Sequence, residues 1–409
     1  KEMNMPVEGG PLPGYPDVPY AQSCSMDRCM ARAKEMMDWD SKYPCRDMGN
    51  GKVRGVGVAM AMQGSSIAGV DVGGADIKLN EDGSYTLALG CTDMGTGCDT
   101  VMAQIAADCL NTPMDNIVVF SVDTDISPYD SGSYASATTY TTGVAVMKAC
   151  EELKKKICKL GAEMMEVDER KVDFDGSCVF YDETLETDDG ADGNAAGHMT
   201  DAEECYSVDM DAISSENAQK KVSLKDIALK STFFNNIELQ VVKQHSSPIS
   251  PPPFMVGMAE VEVDTETGSV DVLDYVAVVD CGTPINPNLA RVQTEGGIAQ
   301  GIGMALWEDV QYTDKGKIRN NSFMQYKIPT RQDIGNIRVD FECSYEKSGP
   351  FGAKSIGELV IDTPCPALAE AIYNATGVRL TELPMTPEKI AMEILKNRES
   401  TRSGTKVEE

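Results

Sequence analysis

The chain has 409 residues, 42% hydrophobic and 25% charged, enough for two folded lobes with a substantial core. Its 65 acidic residues outnumber 36 basic ones, and the net charge of -29 repels phosphate backbones, which speaks against nucleic acid as a partner. No stretch approaches the roughly 20 apolar residues of a membrane span, and 13 cysteines without pairing symmetry point to reduced thiols in a cytoplasmic setting.

Residues 1–20 are polar and Pro/Gly-rich, an extended arm unlike a signal peptide. With Lys1 in place of an initiator methionine, the chain reads as a processed or fragmentary product. A helical pattern runs from Cys24 to Trp39. Cys24 and Cys29 stand in C-x4-C spacing with no third cysteine two residues on, so an iron–sulfur cluster lacks support. Val53–Met62 is a buried-strand pattern, followed by a hairpin in which EDGS (81–84) turns between ADIKLN and YTLALG. The glycine-punctuated loop CTDMGTGCDT (91–100) leads into a helix to Leu110, and Asn116–Val122 reads as a strand. The hydroxyl-rich segment SPYDSGSYASATTYTTG (127–143) merges into a helix ending near Leu160. Residues 182–220 are acidic and poor in large apolar side chains, a surface excursion between lobes. After prolines 251–253, MAEVEVD and VDVLDYVAVVD read as a meander or hairpin across TETGS. Helices are expected at about Leu289–Trp307 and Cys365–Thr376, with the loop GPFGAKSIGE (349–358) before the second. The order fits an α+β class: an N-terminal arm and helix (1–54), a first lobe (55–240) carrying the excursion, and a second lobe (241–409).

Several segments can carry chemistry. Met94-Gly95-Thr96-Gly97 lets backbone approach a ligand, and the helix start after it favours an anion, although such loops are often plain turns. Ser131, Ser133, Ser136, Thr138, Thr139, Thr141 and Thr142 offer hydroxyls to phosphate or cofactor edges, or simply cap a helix. Gln293 opens a helix with glycines at 296, 297, 301 and 303, a pattern of close packing against backbone or ligand. Glu358 follows Gly357 in a loop that also holds Lys354; partial desolvation there makes a carboxylate a better base, whereas a capping or surface role is the plainer reading. With His198 and His245 as the only histidines, a histidine metal site or a Ser-His-Asp triad is disfavoured.

Four ordered blocks resemble the xanthine dehydrogenase/aldehyde oxidase family of molybdenum hydroxylases, over about Arg54 to Glu393. They are GCTDMGTGCDT, GSYASATTYTTG, the 259–287 segment with QTEGGIAQGIG, and GAKSIGE, matching the C-terminal half of the molybdopterin-binding large subunit. The resemblance implies a two-lobed α+β fold and assigns Glu358 as the base that activates a metal-bound hydroxyl, with Gln293 near the apical oxo group. It places Met94, Gly95, Thr96 and Gly97 along the pterin, with Thr96 where the family has Gln. Ser133, Ala135, Ser136 and Thr138 line the cofactor and substrate funnel, and Ser65 and Ser66 stand where xanthine-specific members carry a Phe-Thr pair. No side chain is expected to ligate molybdenum directly; the pterin, in its cytosine dinucleotide form, holds it. The family's other cofactor-binding loops are missing from the chain. A second molybdopterin-binding half-subunit is therefore implied, as in nicotinate-dehydrogenase-type enzymes, together with iron–sulfur and flavin (FAD) subunits. The implied activity inserts water-derived oxygen into an electron-poor C–H of an N-heterocycle, of purine/xanthine or nicotinate type. Aldehyde oxidation, or a non-catalytic structural subunit, are the alternatives.

Overall fold

A computed structural model describes residues 1–12, 18–121, 123–185, 220–235 and 237–403, with side chains through 399. Helix α1 (Met26–Met37) buries Met26, Cys29, Met30, Ala33 and Met37 along one stripe at helical spacing, and stops where Asp38 turns left-handed at φ 55°. A single turn, α2 (Trp39–Lys42), follows, then β1 (Cys45–Gly49) and β2 (Lys52–Met62). Next come β3 (Gly73–Leu79), β4 (Tyr85–Leu89), α3 (Cys98–Leu110), β5 (Ile117–Ser121) and the long α4 (Gly143–Met165). Short strands β6 (Val172–Phe174), β7 (Cys178–Tyr181) and β8 (Lys221–Ser223) precede α5 (Leu224–Leu229) and β9 (Gln240–His245). The chain ends with β10 (Phe254–Asp264), β11 (Val270–Asp280), α6 (Pro287–Leu306), β12 (Asn336–Phe341), α7 (Pro364–Thr376) and α8 (Pro387–Ser403).

Among the described residues, one sheet runs β1-β2-β10-β11-β12, a second β5-β4-β3-β9, and a small third β6-β7-β8. In the first, alternate residues of β10 face opposite layers. Phe254, Val256 and Met258 pack against α1, while Met255, Ala259 and Val261 pack under α6 and α7. Both faces are covered, so β10 and β11 are apolar along most of their length. The second sheet packs its buried face on α3 and α4. Antiparallel pairs dominate, as an α+β class requires, yet each large sheet contains one parallel crossover. These are β4–α3–β5 and β11–α6–β12.

The sheets do not divide at 54/55 and 240/241. Strand β2 hydrogen-bonds β10 from Met62↔Phe254 to Lys52↔Asp264, and so lies inside the sheet of the second lobe. Its apolar sequence needs cover on both faces: Val56 joins the α1 cluster on one, and α7 covers the other, where a Cβ on Gly57 would lie 2.2 Å from the Ala367 carbonyl oxygen. Conversely, β9 returns to pair with β3 of the first lobe. Residues 186–219, nearly all of the acidic excursion, lie outside the described residues. The described strands on either side, β7 and β8, are paired neighbours in the small sheet, Phe180↔Lys221.

Candidate active site at the meeting of two clefts

The two crossovers direct their strand ends to one place. The C-terminal end of β4 enters the 90–97 loop before α3, and that of β11 enters 281–286 before α6. Residues from both helix starts line a cleft of about 210 Å3: Met94, Thr96 and Cys98 from the first, Thr283, Asn286, Leu289 and Gln293 from the second. Ser133, Ser136, Thr138 and Thr139 join them, as does the loop from Ala353 to Glu358. A neighbouring cleft of about 520 Å3 is lined by Gln63, Gly296, Gly297, Gln300, Val360, Ile361 and Asp362. Gln293, Gly357 and Glu358 belong to both.

Glu358 caps a short turn, Leu359–Ile361, whose Leu359 and Val360 are buried. Gly297 of α6 sits directly against Val360, where a Cβ would approach to 2.2 Å, so the glycine lets the helix reach this loop. Gln293 Nε2 donates to the Gly357 carbonyl at 2.9 Å. Glu358 Oε2 accepts from Gln63 Nε2 at 2.7 Å and from Ser136 Oγ at 3.1 Å, and the Glu358 N–H donates to Ser136 Oγ at 3.0 Å. Ser136 and its neighbour Ala135 hold left-handed backbone, φ 55° and 49°, unusual for residues with a Cβ. Thr138 Oγ1 donates to Ser133 Oγ at 2.9 Å. The Asp362 carboxyl, one turn beyond Glu358, is raised by burial and by the Glu358 charge.

Most of the sequence-expected residues converge: Met94, Thr96, Ser133, Ser136, Thr138, Gln293 and Glu358 all face the first cleft. Gly95 and Gly97 shape the loop instead. Their N–H groups donate to Asp93 Oδ1 at 2.9 and 3.1 Å, so the loop's own carboxylate takes donors that the sequence left to a ligand. Gly97 adopts φ 75° against Leu289, a conformation and contact that suit glycine. Ala135 is half-buried within the strained turn and outside both cleft linings. Ser65 and Ser66 are buried and line neither cleft; Ser65 Oγ accepts the Ser355 N–H at 3.0 Å. Glu358 itself is exposed on this chain and stands at the start of a turn, the plainer of the two sequence readings, rather than desolvated.

Sequence reasoning missed Gln63, which directly follows the Val53–Met62 strand pattern, and the depth at which Lys354 lies. The Lys354 ammonium is buried on Asp280 Oδ1 at 3.0 Å, with neither side chain exposed, and also meets the Ser23 carbonyl at 3.1 Å. Asp280 further accepts from the Ser25 N–H, the Gly282 N–H and Ser344 Oγ at 2.8, 2.9 and 2.7 Å. This pair ties the Glu358 loop to β11 and to the segment before α1. A strand-ending Asp in DCG and a Lys in GAKS gave the only signal. His245 lies on β9 beside Lys148 rather than at either cleft, and His198 is outside the described residues. Asp93, Cys98 and Asp99 bring oxygen and sulfur atoms within 4.8 Å of one another. Their lone pairs already serve the loop and Ser121 Oγ, which donates to Asp99 at 3.2 Å.

The first cleft fits a phosphate-bearing, hydrogen-bonding ligand. Two helix starts present their positive ends, and the lining hydroxyls are neutral donors and acceptors. The model of the molybdopterin cofactor-binding domain matches residues 32–335. The probable hypoxanthine oxidase XdhD of Escherichia coli (strain K12) is 34% identical over 380 residues, covering 91% of this chain and 35% of that protein. The 6-hydroxypseudooxynicotine dehydrogenase complex subunit gamma of Paenarthrobacter nicotinovorans is 28% identical, covering 83% and 40%. The solved quinoline 2-oxidoreductase of Pseudomonas putida 86 shares the fold with a TM-score of 0.77 at 22% identity, covering 91% of this chain and 46% of that one. The chain thus spans less than half the length of the relatives it matches. No described helix is long and apolar enough to cross a membrane. The chain belongs to the molybdopterin cofactor-binding domain family, within the molybdenum hydroxylase group to which its ordered blocks point.

Proposed function

We propose that this chain is the base-carrying part of the cofactor-binding subunit of a molybdenum-dependent hydroxylase or dehydrogenase. The observation that carries this reading is the meeting of Gln293 and Glu358, through Gly357, where the two clefts join. Thr96, Ser133, Thr138 and the two helix starts would hold molybdopterin, in its cytosine dinucleotide form, in the first cleft. When bound, the cofactor supplies a molybdenum centre that takes up the two electrons of the oxidation. Glu358 accepts a proton as water-derived oxygen attacks an electron-poor carbon seated in the second cleft. Gln293, its amide nitrogen committed to Gly357, keeps a neutral polar group beside the base.

The exposure of Glu358 on this chain implies that another polypeptide closes the site and excludes water. A second molybdopterin-binding half-subunit fills that role, with iron–sulfur and flavin (FAD) subunits carrying the electrons away, in a cytoplasmic complex. The preferred substrate class is an N-heterocycle of purine/xanthine or nicotinate type. It is supported by relatives named for hypoxanthine and quinoline, both nitrogen ring compounds. Aldehyde oxidation is the second reading, favoured by the absence of an aromatic ring among the described residues lining the second cleft.

The test is metal and pterin analysis of the purified assembly together with Glu358→Gln. The variant is expected to retain molybdenum and lose turnover a hundredfold or more, on the order of a lost general base. Undiminished turnover rejects the base assignment, and a purified assembly without molybdenum or pterin rejects the whole reading in favour of a structural subunit.

A further inference from the structure

The turn after β2 braces the base from the side opposite the cofactor loops. Gln63 Nε2 donates to Glu358 Oε2 at 2.7 Å. Two residues on, Ser65 Oγ accepts the Ser355 N–H at 3.0 Å, and Ser355 Oγ donates to the Gly64 carbonyl at 3.2 Å. The Ser66 N–H donates to the Ala135 carbonyl at 3.0 Å, and Ser250 Oγ donates to the Ser66 carbonyl at 2.6 Å. Ser66, Ala135 and Ser136 all hold left-handed backbone, at φ 71°, 49° and 55°. Non-glycine residues keep that conformation only where their surroundings enforce it. The turn is therefore stitched both to the base-bearing loop and to the hydroxyl segment, and Gln63 inherits its position from it.

The carboxamide has one tolerable orientation, because its reversal would set Oε1 against the carboxylate. In that orientation Gln63 Oε1 is buried with no hydrogen-bond partner among the described residues. A side chain selected for stability alone has little reason to accept an orphaned acceptor. The charge-assisted bond to Glu358 gives it one.

We infer that Gln63 is a positioning residue for Glu358: with Ser136 it clamps Oε2 and leaves Oε1 to take the proton. This inference rests on the reading of Glu358 as the base. Among the described residues no other donor reaches the carboxylate. The charged groups lining the clefts with Glu358 are Asp362 and Lys354, whose ammonium is turned inward onto Asp280. Ser136, Gln293 and Gln300 bring no charge.

The experiment uses the purified holo-assembly with Gln63→Leu and the near-isosteric Gln63→Glu. In Gln63→Leu, kcat is expected to fall about tenfold with KM within about twofold. Gln63→Glu sets a second carboxylate against the same oxygen and is expected to lower kcat at least as far. It reads the same effect if Gln63→Leu fails to assemble. Infrared difference spectra supply a readout independent of turnover. The carboxylate band that Glu358→Gln removes is expected to shift in frequency in both Gln63 variants, because Oε2 loses a donor. An unshifted band with kcat within about twofold of the parent in either variant overturns the inference. Full turnover in Glu358→Gln overturns instead the base assignment beneath it, so the two failures are separable.

Discussion

Breaking the buried Lys354–Asp280 pair is expected to cost more stability from the aspartate side than from the lysine side. Both side chains are fully buried, with the ammonium 3.0 Å from the carboxylate. Removing one partner of such a pair typically costs about 3–5 kcal/mol, because the other charge stays behind in a poor solvent. Lys354→Met keeps the volume and leaves Asp280 with three donors, Ser25 N–H, Gly282 N–H and Ser344 Oγ, so about 3 kcal/mol is expected. Asp280→Ala leaves Lys354 only the Ser23 carbonyl at 3.1 Å and the Phe254 ring at 4.9 Å, and orphans three donors, so about 5 kcal/mol or more is expected. The double variant Lys354→Met/Asp280→Ala is expected to lose less than the sum, since neither charge is stranded. Urea unfolding followed by fluorescence and far-UV circular dichroism measures all three. A loss under about 1 kcal/mol in Lys354→Met, or an aspartate variant no weaker than the lysine variant, would refute the account of this pair as the anchor of the Glu358 loop.

Two further predictions concern the scaffold. Gly57→Ala is expected to destabilise by about 1–3 kcal/mol, because its Cβ would stand 2.2 Å from the Ala367 carbonyl oxygen and 2.4 Å from the Ala371 nitrogen. Gly296→Ala meets nothing within 4 Å inside α6 and is expected to gain up to about 1 kcal/mol; thermal melts that rank the two the other way contradict the packing of α7 on β2. The His245 imidazole is lowered to about 4 by burial and by Lys148, whose ammonium lies 2.9 Å from Nδ1. The unfolded chain takes the proton first, so this contribution is complete above the ordinary value of 6.5 and is lost as pH falls from there toward 4. His245→Gln is expected to show a shallower loss of stability over that window, and parallel curves for parent and variant would exclude the assignment.

Local pattern decided most of the elements. The α1 stripe, the 75–90 hairpin and the 254–280 hairpin announce themselves because period 3.6 and period 2 are carried by neighbouring residues. The residues that meet at the clefts stand in ordered blocks around Met94, Ser136, Gln293 and Glu358, each a contiguous stretch with an unusual density of glycine or hydroxyl. Strand partners were not legible. Hydrophobic alternation says that β2 is buried but not that its neighbour is β10, some 200 residues on, and β12 is too polar to stand out until its parallel pairing to β11 is seen. For the same reason the sheets cross the sequence bounds at 54/55 and 240/241, and the buried place of Ser65 and Ser66 is not visible in sequence.

The sequence by itself determined the family of this chain and set Glu358 among polar, glycine-rich loops, because residue identity and order are enough for that. Tertiary structure alone decided what holds Glu358: Gln63, Ser136 and the Lys354–Asp280 pair come from segments far apart in the chain. Hydrogen bonds and ion pairs between distant residues leave no periodic trace in sequence. They exist only after the sheets have chosen their partners.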